Sequence, residues 1–152
     1  MNYAWITSPD RQAYHGLLLL GDEDEAMLAR YANTGDLLVA FDDGQPVGVA
    51  LFVPVSKDII ELKNLAVAPE FQHRGIGAHL IQMGLKNYAG RYQEMLVGTG
   101  DRDVENIQFY QHQGFVQSGV RKDFFKQYAQ PILVDGVPLN DMLLFTQAVP
   151  VR

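Results

Sequence analysis

Apolar residues along this chain keep two different spacings, and the places where the spacing changes mark its elements. Asn2 to Thr7 alternates enough to form a first strand, and Ser8-Pro9-Asp10 then supplies a helix start leading into Ala13 to Leu20. Gly21 stops that helix. The acidic turn Asp22 to Glu25 caps a second helix running through Ala32, which Asn33-Thr34-Gly35 ends. From Asp36 the pattern turns to apolar and β-branched runs: Leu37 to Phe41, a turn at Asp42-Asp43-Gly44, and Val47 to Val55 read as a hairpin. Ile59 to Val67, after Ser56-Lys57-Asp58, extends it into an antiparallel meander.

Pro69 closes the third run, the loop Glu70 to Arg74 follows, and Ile76, Leu80, Ile81, Met83 and Leu85 trace an amphipathic helix towards Tyr88. Glu94 to Val97 is a short strand ending at Gly98-Thr99-Gly100. A helix over Val104 to Gln113 stops at Gly114 and passes into a strand from Phe115 to Val120. Lys122 to Pro138 is irregular, broken by Pro and Gly, and Met142 to Val149 is a closing strand. No repeat, low-complexity tract or linker interrupts the order, so residues 1–152 read as one domain. Its class is mixed α+β around one sheet, with a strand-loop-helix-strand unit at the middle.

Composition narrows the chemistry. The chain has no cysteine, which removes disulfides, thiolate metal sites and cysteine nucleophiles together. Its formal charge of −6, with Lys and Arg scattered, argues against nucleic acid as a partner. His15, His73, His79 and His112 show no metal-site spacing beside a carboxylate, so no metal is expected. Apolar stretches such as Gly16 to Leu20 and Val47 to Val55 are too short to span a membrane, and no basic start precedes a signal-like core. A cytoplasmic protein without membrane contact is the expectation.

The candidate chemistry begins at Gln72-His73-Arg74-Gly75-Ile76-Gly77. Gly75 and Gly77 open a helix directly after a strand, where bare backbone N–H groups and a positive dipole end make a cradle for phosphate or pyrophosphate. Arg74 and His73 add charge at its mouth. A tight packing loop is the plainer reading of two glycines. A dinucleotide fingerprint needs a small residue where Leu80 stands, and a triphosphate loop needs Gly-Lys-Ser/Thr, which the chain lacks.

The whole string from Leu65 to Gly77 resembles the coenzyme A signature of the GCN5-related N-acetyltransferase (GNAT) family: Gln or Arg, two variable residues, Gly, one variable residue, then Gly or Ala. The element order resembles that fold over nearly the whole chain. It implies a central, mostly antiparallel sheet of about seven strands flanked by about four helices. The resemblance further implies acetyl-CoA as co-substrate, with backbone groups of Leu65, Ala66 and Val67 beside the pantetheine arm. The amides of Gln72, His73, Arg74, Gly75, Ile76, Gly77 and Ala78 would then hold the pyrophosphate.

Acetyl transfer to an amine asks for a deprotonated nitrogen, a polarised thioester carbonyl and a proton for the leaving thiolate. Tyr110 is the candidate acid, because Phe109-Tyr110-Gln111-His112-Gln113-Gly114-Phe115 resembles the family's late helix, whose tyrosine points at the coenzyme sulfur. The plainer reading is a packing tyrosine. The family often places Asn seven residues earlier, where this chain has Asp103; Asn106, one turn before Tyr110, is carried as a coenzyme contact. Glu61 is the candidate base. Strand alternation places it on one face with Lys63, Leu65 and Val67, and it matches the base position of the histone-acetylating branch. A water chain is the alternative base, and a strand ion pair with Lys63 the plainer reading.

On the acceptor side, Asp22-Glu23-Asp24-Glu25 could attract a cationic amine or simply cap a helix. Tyr31, Phe52, Phe124, Phe125 and Tyr128 are candidates for aromatic walls or core. The tail from Asp123 to Met142 resembles an uncharacterised bacterial subgroup, implying a lid or a homodimer edge. Direct transfer to a primary amine of a small molecule or peptide is the expected activity. An acyl-CoA sensor without turnover and a purely structural domain are the alternatives.

Overall fold

The computed structural model describes residues 1–151. Its strands are β1 (Asn2–Ile6), β2 (Asp36–Asp42), β3 (Gln45–Pro54), β4 (Ile59–Val67), β5 (Glu94–Gly100), β6 (Val116–Arg121), β7 (Leu133–Val134), β8 (Val137–Pro138) and β9 (Met142–Ala148). The helices are α1 (His15–Gly21), α2 (Glu25–Ala29), α3 (Ile76–Tyr88) and α4 (Val104–His112). Seven strands build one sheet in the order β1-β2-β3-β4-β5-β9-β6, while β7 and β8 form a separate small hairpin. Every neighbouring pair in the sheet is antiparallel except β4 and β5, which α3 connects. The α+β architecture read from the sequence is therefore present.

Two apolar layers hold the sheet. On one face α3 and α4 bury Leu80, Ile81, Tyr88 and Tyr110 against Leu38, Phe52, Ile60 and Phe145. On the other, Leu18 of α1 and Leu28 of α2 pack on Leu37, Val39, Val49 and Leu51. The alternation of β2 and β3 between these sets is the period of two expected of strands buried on both faces. Phe52, a candidate pocket wall from sequence, is fully buried on the α3 side and belongs to the core.

Two elements end three residues away from the expectation. The second helix ends at Ala29 rather than Ala32, because Arg11 donates to the carbonyls of Ala32 (3.0 Å), Thr34 (2.6 Å) and Gly35 (2.7 Å) and stabilises a turn there. The strand from Glu94 continues through Gly98-Thr99-Gly100, paired with β9 up to Gly100 opposite Met142. These glycines are required by close approach. A Cβ on Gly98 would run into the Met142 side chain and one on Gly100 into Leu139.

The register of β4 positions the site. Leu51 pairs with Asn64 but Phe52 pairs with Leu62, which leaves Lys63 as an extra residue in a β-bulge. Pairing of β4 with β5 stops at Leu62 opposite Val97, although β4 runs on to Val67 and β5 to Gly100. A wedge therefore opens between the two central strands immediately beyond the bulge. No helix among the described residues is long and apolar enough to cross a membrane.

Candidate active site

One cleft, about 670 Å³ in volume, lies between the end of β4 and the start of α3. Leu65, Ala66, Val67, Gln72, His73, Gly75, Ile76, Gly77, Ala78 and Asn106 line it, so ten of the eleven coenzyme candidates come together. Arg74 is the exception: its guanidinium stacks 4.9 Å from the centre of the Phe71 ring, outside the cleft lining.

The loop's local structure explains its residues. Gly75 caps α3 in the left-handed conformation, φ 81°, and no side chain caps the helix, so its first N–H groups are left for another partner. A Cβ on Gly75 would meet nothing within 4 Å, so conformation, not crowding, demands glycine here. Gly77 has the opposite reason: its Cβ would lie 3.3 Å from the Phe109 ring of α4, which packs against it. His73 is also left-handed, φ 62°. Gln72 donates its carboxamide to the Val67 carbonyl at 3.0 Å and ties the loop to the end of β4. Such a helix N-terminus behind a glycine turn suits a pyrophosphate.

A second cleft of about 560 Å³ lies on the α1–α2 side of the wedge. Leu20, Gly21, Leu65 and Asn106 line both clefts, so the two meet at that point. Its floor comes from Glu61 to Leu65 of β4 and Val97 to Gly100 of β5, with Tyr110 beside them. Its roof is the late segment read as irregular from sequence, which presents Phe124, Phe125, Tyr128, Ile132 and Leu139. That segment is built from a 3-10 turn at Phe124–Gln127 and the β7–β8 hairpin, closed by left-handed Asp135 and Gly136. Ala129 N–H donates to Asp24 (3.1 Å), Arg30 donates to Gln127 (3.0 Å) and Asp123 N–H donates to Asp141 (2.8 Å), fastening the roof at both ends.

Both catalytic candidates line this second cleft. Tyr110 is 8% exposed, with its ring edge-on to Phe109 and Phe115. Burial first, and the Asp103 carboxylate second, push its phenol well above the ordinary tyrosine range, so it keeps its proton. Asp103 itself caps α4, accepting from the Asn106 backbone N–H at 3.2 Å and from its side chain at 2.8 Å. Glu61 is 7% exposed and lies between Arg121 (3.7 Å) and Lys63 (3.9 Å). Both separations exceed hydrogen-bond length, so the two cations act on the carboxylate by charge.

Simple alternation placed Glu61 with Leu65 and Val67, and the structure corrects this. Glu61 pairs with Val53, and Asn64 and Ala66 pair with Leu51 and Val49, so these share the α1–α2 face. Leu62, Leu65 and Val67 pair with Phe52, Ala50 and Gly48 on the α3 face. The bulge at Lys63 shifts the period by one residue, so Glu61 and Asn64 both face the second cleft.

Sequence reasoning missed Asn64 and Arg121. Asn64 is 3% exposed and donates to the Leu18 carbonyl (2.8 Å) and the Tyr31 hydroxyl (3.2 Å). Tyr31 in turn donates to Asp22 at 2.8 Å. Gly21 is glycine because a Cβ would collide with the Asn64 carboxamide. The available signal was two adjacent polar residues, Lys63 and Asn64, which break the alternation of β4.

Known proteins share this fold. The model of the acetyltransferase (GNAT) domain matches residues 33–117. A GNAT family acetyltransferase from Elizabethkingia anophelis, solved with acetyl-CoA bound, is 30% identical and aligns over 97% of this chain and 98% of its own, with a TM-score of 0.86. An IAA acetyltransferase from Bacillus cereus is also 30% identical, over 97% and 99%, with a TM-score of 0.85. The uncharacterized N-acetyltransferase YvbK of Bacillus subtilis is 25% identical over 131 residues, 85% of this chain and 84% of its own. With its wedge, its glycine-capped α3 and these relatives, the chain belongs to the GNAT family of acetyltransferases and is an acyltransferase.

Proposed function

We propose that the protein moves the acetyl group of acetyl-CoA directly to a primary amine of a small molecule or peptide. The observation that carries this reading is the meeting of the two clefts at Leu20, Gly21, Leu65 and Asn106. A pure acyl-CoA sensor has no use for the second cleft, which speaks for turnover.

Acetyl-CoA supplies the activated acetyl group and a thiol leaving group. The α3 N-terminus and the Gln72–Ala78 loop hold its pyrophosphate, and the open edge of β4 from Leu65 to Val67 guides the reactive end into the wedge. Glu61, directly or through one water, takes the proton that the amine gives up as its nitrogen bonds to the acetyl carbon. Tyr110 gives its hydroxyl proton to the sulfur as the C–S bond breaks. Its phenolate then regains a proton from the protonated Glu61 or from solvent. One amide and one free thiol are formed, and the protein returns to its starting state.

Thiol release across a panel of primary amines tests the reading. Glu61→Gln is expected to lower kcat/KM by about 10²-fold near neutral pH, with partial recovery at high pH, where the amine loses its proton to solvent. An unchanged kcat/KM would remove Glu61 from the chemistry. Calorimetry with acetyl-CoA tests the cradle. A β-branched residue at a left-handed position costs about 1–2 kcal/mol, so Gly75→Val is expected to weaken binding roughly tenfold. No heat from the parent protein at millimolar acetyl-CoA would sink the donor assignment.

A further inference from the structure

We infer that Asp22 is a binding subsite for a second positive charge on the acceptor, and that the acceptor is a small dibasic amine rather than a polypeptide. This rests on the acyl-transfer reading above and deepens it.

Three acids at the start of α2, Asp22, Asp24 and Glu25, have separated roles. Asp24 is the helix cap: one oxygen accepts from the Met27 N–H at 3.0 Å and the other from the Ala129 N–H at 3.1 Å. Glu25 pairs with His15 at 2.9 Å. Asp22 does neither. It lines the acceptor cleft, half-buried, and accepts the Tyr31 hydroxyl at 2.8 Å and a long bond from the Asp24 N–H at 3.4 Å. Among the described residues, no Lys, Arg or His nitrogen lies within 4.0 Å of its carboxylate. The nearby cations have other partners: Lys63 lies beside Glu61 and over the Tyr31 ring, 5.1 Å from its centre, and Arg30 donates to Gln127.

This lone carboxylate is built in place. Burial and the neighbouring Asp22 push the phenols of Tyr31 and Tyr128 far up, so both keep their protons and stay available to donate. Tyr31 is held in turn by Asn64, whose Oδ1 is the one buried side-chain polar atom without a partner among the described residues. A buried polar atom left unpaired is costly, and this one belongs to a residue lining the same cleft. The roof adds aromatic faces, with Phe124 and Phe125 packed on Tyr128 at 6.0 and 5.3 Å between ring centres. A fixed carboxylate among aromatic rings attracts an organic cation by charge and by cation–π contact. Asp22, Glu23, Glu61 and Asp103 outnumber Arg30 and Lys63 on the cleft wall, which also favours a cation over an anion.

The roof argues against a polypeptide. An extended chain needs an open groove, whereas the 3-10 turn sets Phe124, Phe125 and Tyr128 on the cleft and is fastened to Arg30 through Gln127 and to Asp24 through Ala129. The cleft's roughly 560 Å³ falls in the size range of small-ligand pockets.

The test compares α,ω-diamines from 1,2-diaminoethane to 1,6-diaminohexane with n-alkylamines of matched length and a lysine-containing pentapeptide, all by thiol release from acetyl-CoA. At least one diamine is expected to exceed its matched monoamine about 10- to 100-fold in kcat/KM. Asp22→Asn keeps an oxygen for Tyr31 and is expected to remove that advantage, while monoamine kcat/KM and acetyl-CoA affinity change less than threefold. Equal losses for diamine and monoamine, equal parent rates for the two, or a preference for the pentapeptide would each overturn the subsite. Tyr128→Phe keeps the ring, removes the hydroxyl and provides a second variant should Asp22→Asn fold poorly; a smaller loss of diamine advantage is expected, and no change counts against the subsite. Monoamine turnover without diamine preference overturns only this inference, whereas no acetyl-CoA binding overturns the acyl-transfer reading beneath it.

Discussion

Tyr110→Phe is expected to lower kcat by about 10²- to 10³-fold while acetyl-CoA affinity stays within about threefold. The substitution removes one hydroxyl and keeps the ring, whose packing on Phe109 and Phe115 at 5.3 and 5.7 Å between centres is unaffected. Burial and Asp103 raise the phenol above its ordinary range, which has a definite consequence for pH dependence. A raised pKa means the proton is retained to higher pH, so an alkaline fall in rate, if measured, does not come from Tyr110. A thiol ionises near 8.5 and an ordinary tyrosine near 10, so full transfer in the ground state runs uphill. Tyr110 therefore acts through a hydrogen bond that strengthens as charge grows on the sulfur, and transfer is completed only as the protonated Glu61 or solvent returns a proton to the phenolate. Stopped-flow or steady-state thiol release measures kcat directly. A value within threefold of the parent would take Tyr110 out of the mechanism and leave it a packing residue.

Phe52→Ala is expected to destabilise the fold by about 3–5 kcal/mol, the largest structural effect foreseen for a single substitution. The ring is fully buried, with Trp5 and Tyr88 at 5.8 and 5.5 Å between centres. It fills the space over Gly84 of α3, where a Cβ would run into it. This pairing makes a sharper test than either residue alone. In the parent, Gly84→Ala is expected to cost about 1–3 kcal/mol through overpacking. In the Phe52→Ala background the same change meets a cavity and removes a helix-interior glycine, so it is expected to stabilise by up to about 1 kcal/mol. Urea denaturation of the four proteins gives the coupling. Additive effects of the two substitutions would show that the ring and Gly84 do not share one space.

Much of the fold was legible because its strongest elements are continuous and periodic. Ile59–Val67 and Ile76–Tyr88 lie where the apolar pattern placed them. The chain ends of other elements were less legible, since they depend on partners distant in sequence. Ala29 ends α2 because Arg11 reaches the carbonyls beyond it, and β5 runs through three residues that look like a turn because β9 lies alongside. Phe52 was ambiguous for the same reason: an aromatic residue in an apolar strand carries no mark of which layer it faces.

The donor side of the site followed from one contiguous string. From Gln72 to Gly77, glycine conformation and a helix N-terminus act within a single turn, so the spacing of the letters already contains the geometry. The acceptor side did not. Whether Glu61 looks towards α1 and α2 or towards α3 depends on one unpaired residue, Lys63, and a slip of one residue reverses every side chain beyond it. The separate roles of Asp22 and Asp24 depend on Tyr31, Tyr128 and Ala129, which come from elsewhere in the chain. By itself, then, the sequence determined the α+β class, the family and the glycine loop that opens α3, all encoded in local period and motif. Only the tertiary structure decided which groups face the second cleft, because strand register and long-range hydrogen bonds are set by pairings that no local pattern records.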